Sequence, residues 1–210
     1  MLRKIETKES RQKKQNNQSK LIIGLVILFL MVFSTLGYAI VQNNNPQTEG
    51  EKYGNYTFVR GASGWETTLK LFGNKVLSTS YLPREVLEVN SSPVDLFYFQ
   101  DKIVYITVRN QQDVQTSVDL SKNLGSIFSR IQYACNYDEE NSTFCIEANL
   151  PLKNCEDAGS NIVILIDSKN FNSTVPSYTF KDSCLTIKGE GSGIMKAADN
   201  FIFRLFRIID

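Results

Sequence analysis

The residues with the clearest chemistry in this 210-residue chain are four cysteines, all of which follow a long apolar segment at residues 21–41. An even number of cysteines beyond such a segment predicts disulfides, because oxidising compartments outside the cytoplasm let them persist. Three pairings are possible, and we favour the one that closes a short polar loop and joins two predicted strands. A zinc site is the alternative, but the chain has no CxxC pair and no histidine. The favoured bridges are Cys135–Cys145 and Cys155–Cys184.

Catalysis has little support in the sequence. The absence of histidine excludes a Ser-His-Asp or Cys-His arrangement and an imidazole base. A carboxylate pair could still serve a glycosidase, a Ser-Lys mechanism has no motif in its favour, and the acidic residues 138–140 lack the Asp-x-Asp alternation and glycine of a calcium loop. We therefore predict no catalytic, cofactor-binding or metal-binding residue. The carboxylates that an envelope hydrolase would have to use are Asp138, Glu139, Glu140, Glu147, Glu156 and Asp157.

Three glycines at residues 189–193 stand between a predicted strand and a predicted helix, where backbone N–H groups can hold an anion. The dinucleotide pattern requires a further glycine at the position of Ile194, and no strand follows the helix. We interpret the segment as a turn with Ser192 as the helix N-cap. Trp65 is the lone tryptophan and could stack on a sugar, but its place on an alternating strand favours the core.

The position of these residues relative to a membrane follows from residues 21–41, which contain no charge. About 20 helical residues span the ~30 Å hydrocarbon core of a bilayer. Residues 1–20 carry seven Lys or Arg against two Glu, and such an excess stays cytoplasmic. We predict a retained signal anchor with the amino terminus inside. A cleaved signal peptide is the alternative, because Gly37-Tyr38-Ala39 resembles a cleavage site, although the apolar run exceeds the usual ~7–15 residues.

Both interpretations place residues 42–210 outside the cytoplasm, and the charge distribution indicates which partners to expect. The basic tail attracts anionic lipid headgroups, so the bilayer is one predicted partner. Residues 21–210 carry a net charge of −4 and show no basic stripe, which gives no reason to expect nucleic acid. Asn-x-Ser/Thr triplets are N-glycosylation candidates on an exported chain. They begin at Asn55, Asn141 and Asn172, and Asn90 also fits although Pro93 follows it.

Alternating apolar and polar residues, and runs of β-branched and aromatic residues, predict a domain rich in strands. Gly73-Asn74 supplies a two-residue turn between the first two strands and therefore predicts a hairpin. Val104, Ile106 and Val108 are expected on one face of their strand. The predicted strands cover residues 65–71, 75–78, 94–99, 103–108, 144–148, 161–167, 177–180 and 184–187.

Helical spacing appears twice. The first helix is predicted from the period of Leu120, Leu124, Ile127, Phe128 and Ile131, and Thr116 or Ser117 can cap its start. The second runs from about Gly193 to the end, with an apolar stripe from which Lys196, Asp199, Asn200, Arg204 and Arg207 are largely excluded. We expect it to pack on the sheet, and a membrane-surface role, encouraged by Phe203 and Phe206, is the alternative.

Several short segments resemble small archaeal membrane-anchored proteins with an extracytoplasmic α+β domain and no assigned activity. That resemblance implies an archaeal surface protein and transfers no functional residue. Such proteins close on Gly-Ile after the last helix, and Arg207 stands here in place of the glycine. The segments that carry the resemblance are Tyr81-Leu82-Pro83-Arg84-Glu85-Val86, Cys184-Leu185-Thr186-Ile187-Lys188-Gly189, Ala197-Ala198-Asp199-Asn200-Phe201-Ile202 and Leu205-Phe206-Arg207-Ile208-Ile209.

We therefore predict a single-pass membrane protein with one disulfide-bonded α+β domain of mostly antiparallel sheet covered by two helices. The expected division is a basic cytoplasmic tail (residues 1–20), a transmembrane helix (21–41), a polar tether (42–54) and an extracytoplasmic domain (55–210). The favoured function is an interaction module at the cell surface that binds a protein, an oligomeric partner or envelope glycans. The alternatives are a carboxylate-dependent envelope hydrolase and a small-ligand receptor domain.

Overall fold

Ten strands and three α-helices make up the described part of the chain, so the α+β class is confirmed. They belong to a computed structural model in which residues 50–210 form one compact unit. The described residues are 31, 50–108, 111–128, 130–137, 143–168 and 175–210.

The smaller sheet is an antiparallel meander of β1 (Glu51–Tyr53), β2 (Tyr56–Arg60), β3 (Trp65–Leu69) and β4 (Lys75–Thr79). The predicted β3–β4 hairpin is confirmed, but residues 70–74 connect its strands instead of a two-residue turn. They form a 3-10 helix followed by Gly73 and Asn74, both at positive φ. The predicted tether (residues 42–54) extends too far along the chain, because its last residues include β1, which pairs with β2.

The larger sheet has six strands in the order β5-β9-β10-β8-β6-β7. Only β9 and β10 pair antiparallel, whereas the other four pairings are parallel. The prediction of a mostly antiparallel sheet is therefore wrong for this layer. A helix joins β6 to β7, and such a crossover allows parallel pairing, while the other three parallel pairs form between strands that do not follow each other in the chain. The strands are β5 (Asn90–Ser91), β6 (Val104–Val108), β7 (Ile131–Cys135), β8 (Ile162–Asp167), β9 (Ser177–Lys181) and β10 (Cys184–Lys188).

In residues 50–210, the described part contains one α-helix more than the two predicted for the domain. The helices are α1 (Gln111–Gly125), α2 (Thr143–Ala148) and α3 (Ser192–Leu205). Helix α1 begins five residues before Thr116, so neither Thr116 nor Ser117 caps it, and both are buried. The predicted strand at residues 144–148 is wrong, because those residues form α2. The predicted strand at residues 94–99 is also wrong, since a 3-10 helix occupies Leu96–Phe99.

Helices α1 and α3 pack on one face of the larger sheet, and the smaller sheet covers them from the other side. Phe58 of β2 meets Phe203 of α3 edge to face, with ring centroids 5.8 Å apart. Because α3 lies between two sheets, its polar side is buried as well. The expectation that Asp199 and Asn200 lie off the buried stripe is therefore wrong, since both side chains are buried.

The two predicted disulfides are present with the favoured pairing. Cys135 at the end of β7 joins Cys145 in α2, with Cα atoms 6.1 Å apart. Cys155 joins Cys184 at the start of β10, with Cα atoms 5.3 Å apart. Both separations fall in the usual range for disulfides. The bridges fasten residues 145–155, which lie between β7 and β8 in the chain, to the larger sheet.

Within the described residues, no helix combines the length and apolar character needed to cross a bilayer. The predicted basic tail and residues 42–49 of the tether lie outside the described residues, as does the predicted membrane anchor except for Met31.

Candidate functional site

The carboxylates proposed for hydrolysis have structural partners or lie on the surface. Asp157 accepts a hydrogen bond from the backbone N–H of Asn154 at 2.9 Å and faces Lys153 at 3.6 Å. Glu156 and Glu147 are exposed. Residues 138–140 lie outside the described residues, and the described part of the chain contains no cluster of three metal-ligating side chains. Of the predicted candidates, Glu147, Glu156 and Asp157 are therefore exposed or engaged in local contacts.

The glycines at residues 189–193 serve the turn into α3. Gly191 is the N-cap at φ +54°, so Ser192 is the first helical residue and the predicted Ser192 cap is wrong. A Cβ atom on Gly189 would lie 2.5 Å from the backbone nitrogen of Ile194. The turn thus requires glycine for its conformation and close approach, which leaves no need for an anion site to explain these residues.

Two of the glycosylation candidates, Asn141 and Asn172, lie outside the described residues. Asn55 is exposed in the turn between β1 and β2, whereas Asn90 lies in β5 and its N–H donates to the carbonyl of Pro176.

Trp65 is half-buried against the core, with the Arg60 guanidinium 5.1 Å from its ring centroid.

A group of buried polar side chains lies near the carboxyl ends of β6 and β8. Asp167 ends β8, and Asp113 and Thr116 lie one turn apart near the start of α1. Crevices at the carboxyl ends of parallel strands are common ligand sites in open α/β sheets. Residues 109–110 and 169–174, which follow the two strands, lie outside the described residues. The described residues therefore define only part of this end of the sheet.

The site that the described residues define most fully is an apolar groove between two 3-10 helices. The first helix, Lys70–Phe72, connects β3 and β4. Phe72 turns inward and meets Phe206 edge to face, with ring centroids 5.2 Å apart. Because a 3-10 helix has three residues per turn, neighbouring side chains diverge, and Leu71 points outward. Its side chain is 87% exposed.

The second 3-10 helix, Leu96–Phe99, has the same arrangement. The Asp95 carboxylate accepts a hydrogen bond from the Phe97 N–H at 2.9 Å and caps its start. Phe99 is fully buried and stacks on Phe128 and Phe180, at centroid distances of 5.5 and 5.6 Å. With Phe99 fixed inside, Phe97 is directed outward and is 73% exposed.

The apolar groove consists of two adjoining cavities of about 340 and 590 Å³ that share Phe72, Leu96 and Gln100. Leu71 and Phe97 line the smaller cavity, and Phe128 lies in the larger one. A third cavity of about 480 Å³ continues from Leu71 across the smaller sheet to Asn55. Exposed apolar surface that is continuous with concave cavities is typical of a binding site.

Charged side chains lie at the ends of the groove. Arg207 pairs with Asp95 at 3.2 Å beside the smaller cavity. At the larger cavity, Lys102 donates to the Gly159 carbonyl at 3.2 Å and to the Ser183 hydroxyl at 3.0 Å. The exposed Arg130 lies at the same end. A ligand in the groove would therefore meet an apolar floor with charges of both signs around it.

This groove is not evident from the sequence, because its outward residues lie in segments that alternate like strands. The alternation predicts a strand over residues 94–99 and another that ends at residue 71. One signal was present: Asp95 two residues before Phe97 is typical of an Asx cap, which starts a helical turn.

Comparisons with protein-family models, with curated proteins and with solved structures gave no match for this chain.

Proposed function

We propose that the protein is a membrane-anchored extracytoplasmic interaction module that binds another protein through the apolar groove. The observation that carries this proposal is the joint exposure of Leu71 and Phe97. Their side chains line one cavity, although Leu71 lies in a connection of the smaller sheet and Phe97 in a connection of the larger sheet. Exposing two large apolar side chains is unfavourable in isolation, and partner proteins commonly cover such surfaces.

The construction of the groove suits a protein ligand. Phe72 and Phe99 hold the two 3-10 helices against the core, so Leu71 and Phe97 are presented by supported segments. Aromatic and aliphatic anchors on a rigid base lose little conformational entropy on binding, which is the usual composition of interface hot spots. Envelope glycans are the alternative for the larger cavity, which is lined by several polar side chains. The smaller cavity, where Leu71 and Phe97 lie, is mainly apolar and suits a protein better.

Strand β1 separates the groove from Gly50. Gly50, the first residue of the described domain, lies beside Thr57 and Val59. Strand β1 runs from there to the turn at Gly54, and Asn55 in that turn lines the same cavity as Leu71. The groove thus lies at the opposite end of β1 from the point where the chain enters the domain.

The proposal is tested on the full chain, tagged and purified with mild detergent from membranes of the cells that produce it. A photo-crosslinking amino acid at position 97 should capture one stoichiometric protein, identified by mass spectrometry and then produced separately for a binding measurement. Leu71→Glu combined with Phe97→Glu should weaken that binding by about 100-fold, since two anchors of about 1–2 kcal/mol each are lost.

The matched control is Leu87→Glu. Leu87 is 53% exposed and lines neither cavity of the groove, so this change should leave binding intact. Equal loss with Leu87→Glu, or no captured protein at position 97, would overturn the proposal. The crosslinker could instead capture lipid, and the chain could float with vesicles unless it carries the double substitution. Those two results together would identify the groove as a membrane contact.

A further inference from the structure

The larger cavity of the apolar groove carries more positive than negative charge. Among the residues that line it, Lys102 and Arg130 are basic and Asp101 is acidic. At the smaller cavity, by contrast, Arg207 and Asp95 neutralise each other. The groove therefore has one end with a positive charge that its own lining does not compensate.

Arg130 is fixed at its backbone, while its guanidinium is free to bind. Its carbonyl accepts a hydrogen bond from the Val104 N–H at 2.9 Å, which holds the residue beside β6, immediately before β7. Its side chain is exposed, and in the described part of the chain it has neither an ion pair nor a side-chain hydrogen bond. Because a guanidinium presents several N–H donors in one plane, it can bind both oxygens of a carboxylate.

Lys102 supplies a second cation in the same cavity. Its ammonium donates to the Gly159 carbonyl at 3.2 Å and to the Ser183 hydroxyl at 3.0 Å. Both acceptors are neutral and an ammonium has three N–H donors, so its charge remains and one donor is left for a ligand. The two hydrogen bonds also restrict the side chain in advance, which lowers the entropy that binding would cost.

The cavity that contains these cations adjoins the smaller cavity, where Leu71 and Phe97 are exposed. Phe72 and Leu96 belong to both cavities. A protein segment whose apolar side chain covers Leu71 and Phe97 would therefore have neighbouring residues over the cationic end. An acidic residue there would be attracted and a basic residue would be repelled.

We propose that the partner segment in the groove carries an acidic side chain beside its apolar anchor, and that this carboxylate binds Arg130 and Lys102. This inference rests on the proposed function, because it requires a protein in the groove. Asp101 compensates only one of the two positive charges of the cavity. Residues 21–210 carry a net charge of −4, so an acidic segment is attracted to this end of the groove and repelled by the domain as a whole.

The test uses the full chain in mild detergent and the protein captured through position 97. Arg130→Gln should weaken binding by about 3- to 5-fold, as expected for one exposed ion pair. Adding Lys102→Gln should weaken it further, and added salt should affect this double variant less than the parent. The matched control is Lys122→Gln, which removes one charge from an exposed residue outside the groove and should leave the affinity unchanged.

Charge reversal separates recognition of the carboxylate from damage to the fold. Arg130→Glu should weaken binding more than Arg130→Gln, because it adds repulsion to the loss of attraction. Replacing one acidic residue of the partner's captured segment with lysine should restore binding to Arg130→Glu and weaken binding to the parent. Since the Arg130 side chain is exposed, both variants should keep the melting temperature of the parent.

The outcomes distinguish recognition of the carboxylate from partner binding itself. Absence of a captured protein at position 97 would overturn both proposals. A captured protein whose affinity is unchanged by the Arg130 and Lys102 substitutions, or which no acid-to-lysine replacement restores, would overturn only the carboxylate contact. Loss of binding after enzymatic removal of the partner's glycans would assign the anion to an acidic sugar and would also overturn that contact.

Discussion

The side-chain amide of Asn123 pairs with the backbone of Ser78 through two hydrogen bonds. Its oxygen accepts from the Ser78 N–H at 2.9 Å, and its nitrogen donates to the Ser78 carbonyl at 2.7 Å. Ser78 lies in β4, the edge strand of the smaller sheet, and Asn123 lies in α1. The amide therefore acts as a substitute for a neighbouring strand and joins two layers of the domain.

Replacing Asn123 with Leu should lower the free energy of unfolding by about 2–4 kcal/mol. The change leaves one buried N–H and one buried carbonyl of Ser78 without partners, and each costs about 1–3 kcal/mol. Urea denaturation measures the loss. The matched control is Lys122→Ala on the exposed side of the same helix, which should change stability by less than about 0.5 kcal/mol. Equal effects in the two variants would contradict the role of the Asn123 amide.

The buried carboxyl of Asp199 should make stability depend on pH. Burial raises the pKa of Asp199 to about 8, and the charge of Asp119 also raises it. Hydrogen bonds from the Tyr81 and Ser80 N–H groups oppose this shift. The folded state therefore holds a proton that the unfolded state releases near pH 4. The contribution of Asp199 to the free energy of unfolding should be greatest below about pH 4 and should fall as pH rises to about 8, by at most ~1.4 kcal/mol per pH unit.

Asp199→Asn removes this titration while its side-chain oxygen still accepts from Ser80 and Tyr81, whose N–H groups both lie 2.9 Å from the carboxylate. The variant should be less dependent on pH than the parent between about pH 4 and pH 8, and more stable than the parent at about pH 8. Urea denaturation at several pH values measures both. A parent protein whose stability rises over this range, with Asp199→Asn unchanged in slope, would show that Asp199 titrates normally.

The burial of these two polar side chains could not be predicted from the sequence. The alternation of Val104, Ile106 and Val108 predicted one face of β6, and all three side chains are buried, because alternation depends only on local geometry. The burial of Asn123 and Asp199 depends on the smaller sheet covering the helices, and single-sequence periodicity contains no information about a second covering layer. The sequence also could not distinguish parallel from antiparallel pairing, which depends on the path of the connections.

The candidate groove was harder to predict for a related reason. Leu71 and Phe97 continue patterns that alternate like strands, and only the capping by Asp95 separates a 3-10 turn from an extended strand. The disulfides were predictable as a pair of bridges, because four cysteines in one domain leave few arrangements. The two bridges should not contribute equally to the free energy of unfolding.

Removing the Cys155–Cys184 bridge should destabilise the protein more than removing Cys135–Cys145. The two bridges close loops with sequence separations of 29 and 10 residues. In the chain-entropy account, these separations correspond to about 3–4 and about 2–3 kcal/mol. Double Cys→Ser variants of each bridge, compared by urea denaturation of the full chain, measure the difference. A larger loss for the Cys135–Cys145 pair would contradict the entropic ordering.

The proposed export of the domain predicts that Asn55 is glycosylated in the native host and that Asn90 is not. Both side chains are exposed, but Asn55 lies in a turn, whereas Asn90 lies in a strand paired with Ser177. By mass spectrometry, the chain should lose one glycan with Asn55→Gln and none with Asn90→Gln. An unmodified Asn55 would count against export through a glycosylating pathway, and a glycan on Asn90 would contradict the distinction between turn and strand.

Arg207 adopts φ +55°, a conformation that favours glycine and costs other residues about 1–2 kcal/mol. It follows Phe206, the C-cap of α3, at the position where a glycine commonly ends a helix. The variants Arg207→Gly and Arg207→Ala both lose the exposed ion pair with Asp95, so comparing them isolates the backbone. We expect the glycine variant to be the more stable by about 1 kcal/mol in urea denaturation.

The same pair of substitutions within α3 should give the opposite order. Lys196 lies in the interior of the helix, where alanine is more stable than glycine by about 1 kcal/mol. Lys196→Ala and Lys196→Gly both lose the ion pair with Glu88, so that contribution also cancels. Glycine favoured at position 207 and alanine favoured at position 196 would locate the helix end between them. Alanine favoured at both positions would mean that α3 continues through Arg207 in solution.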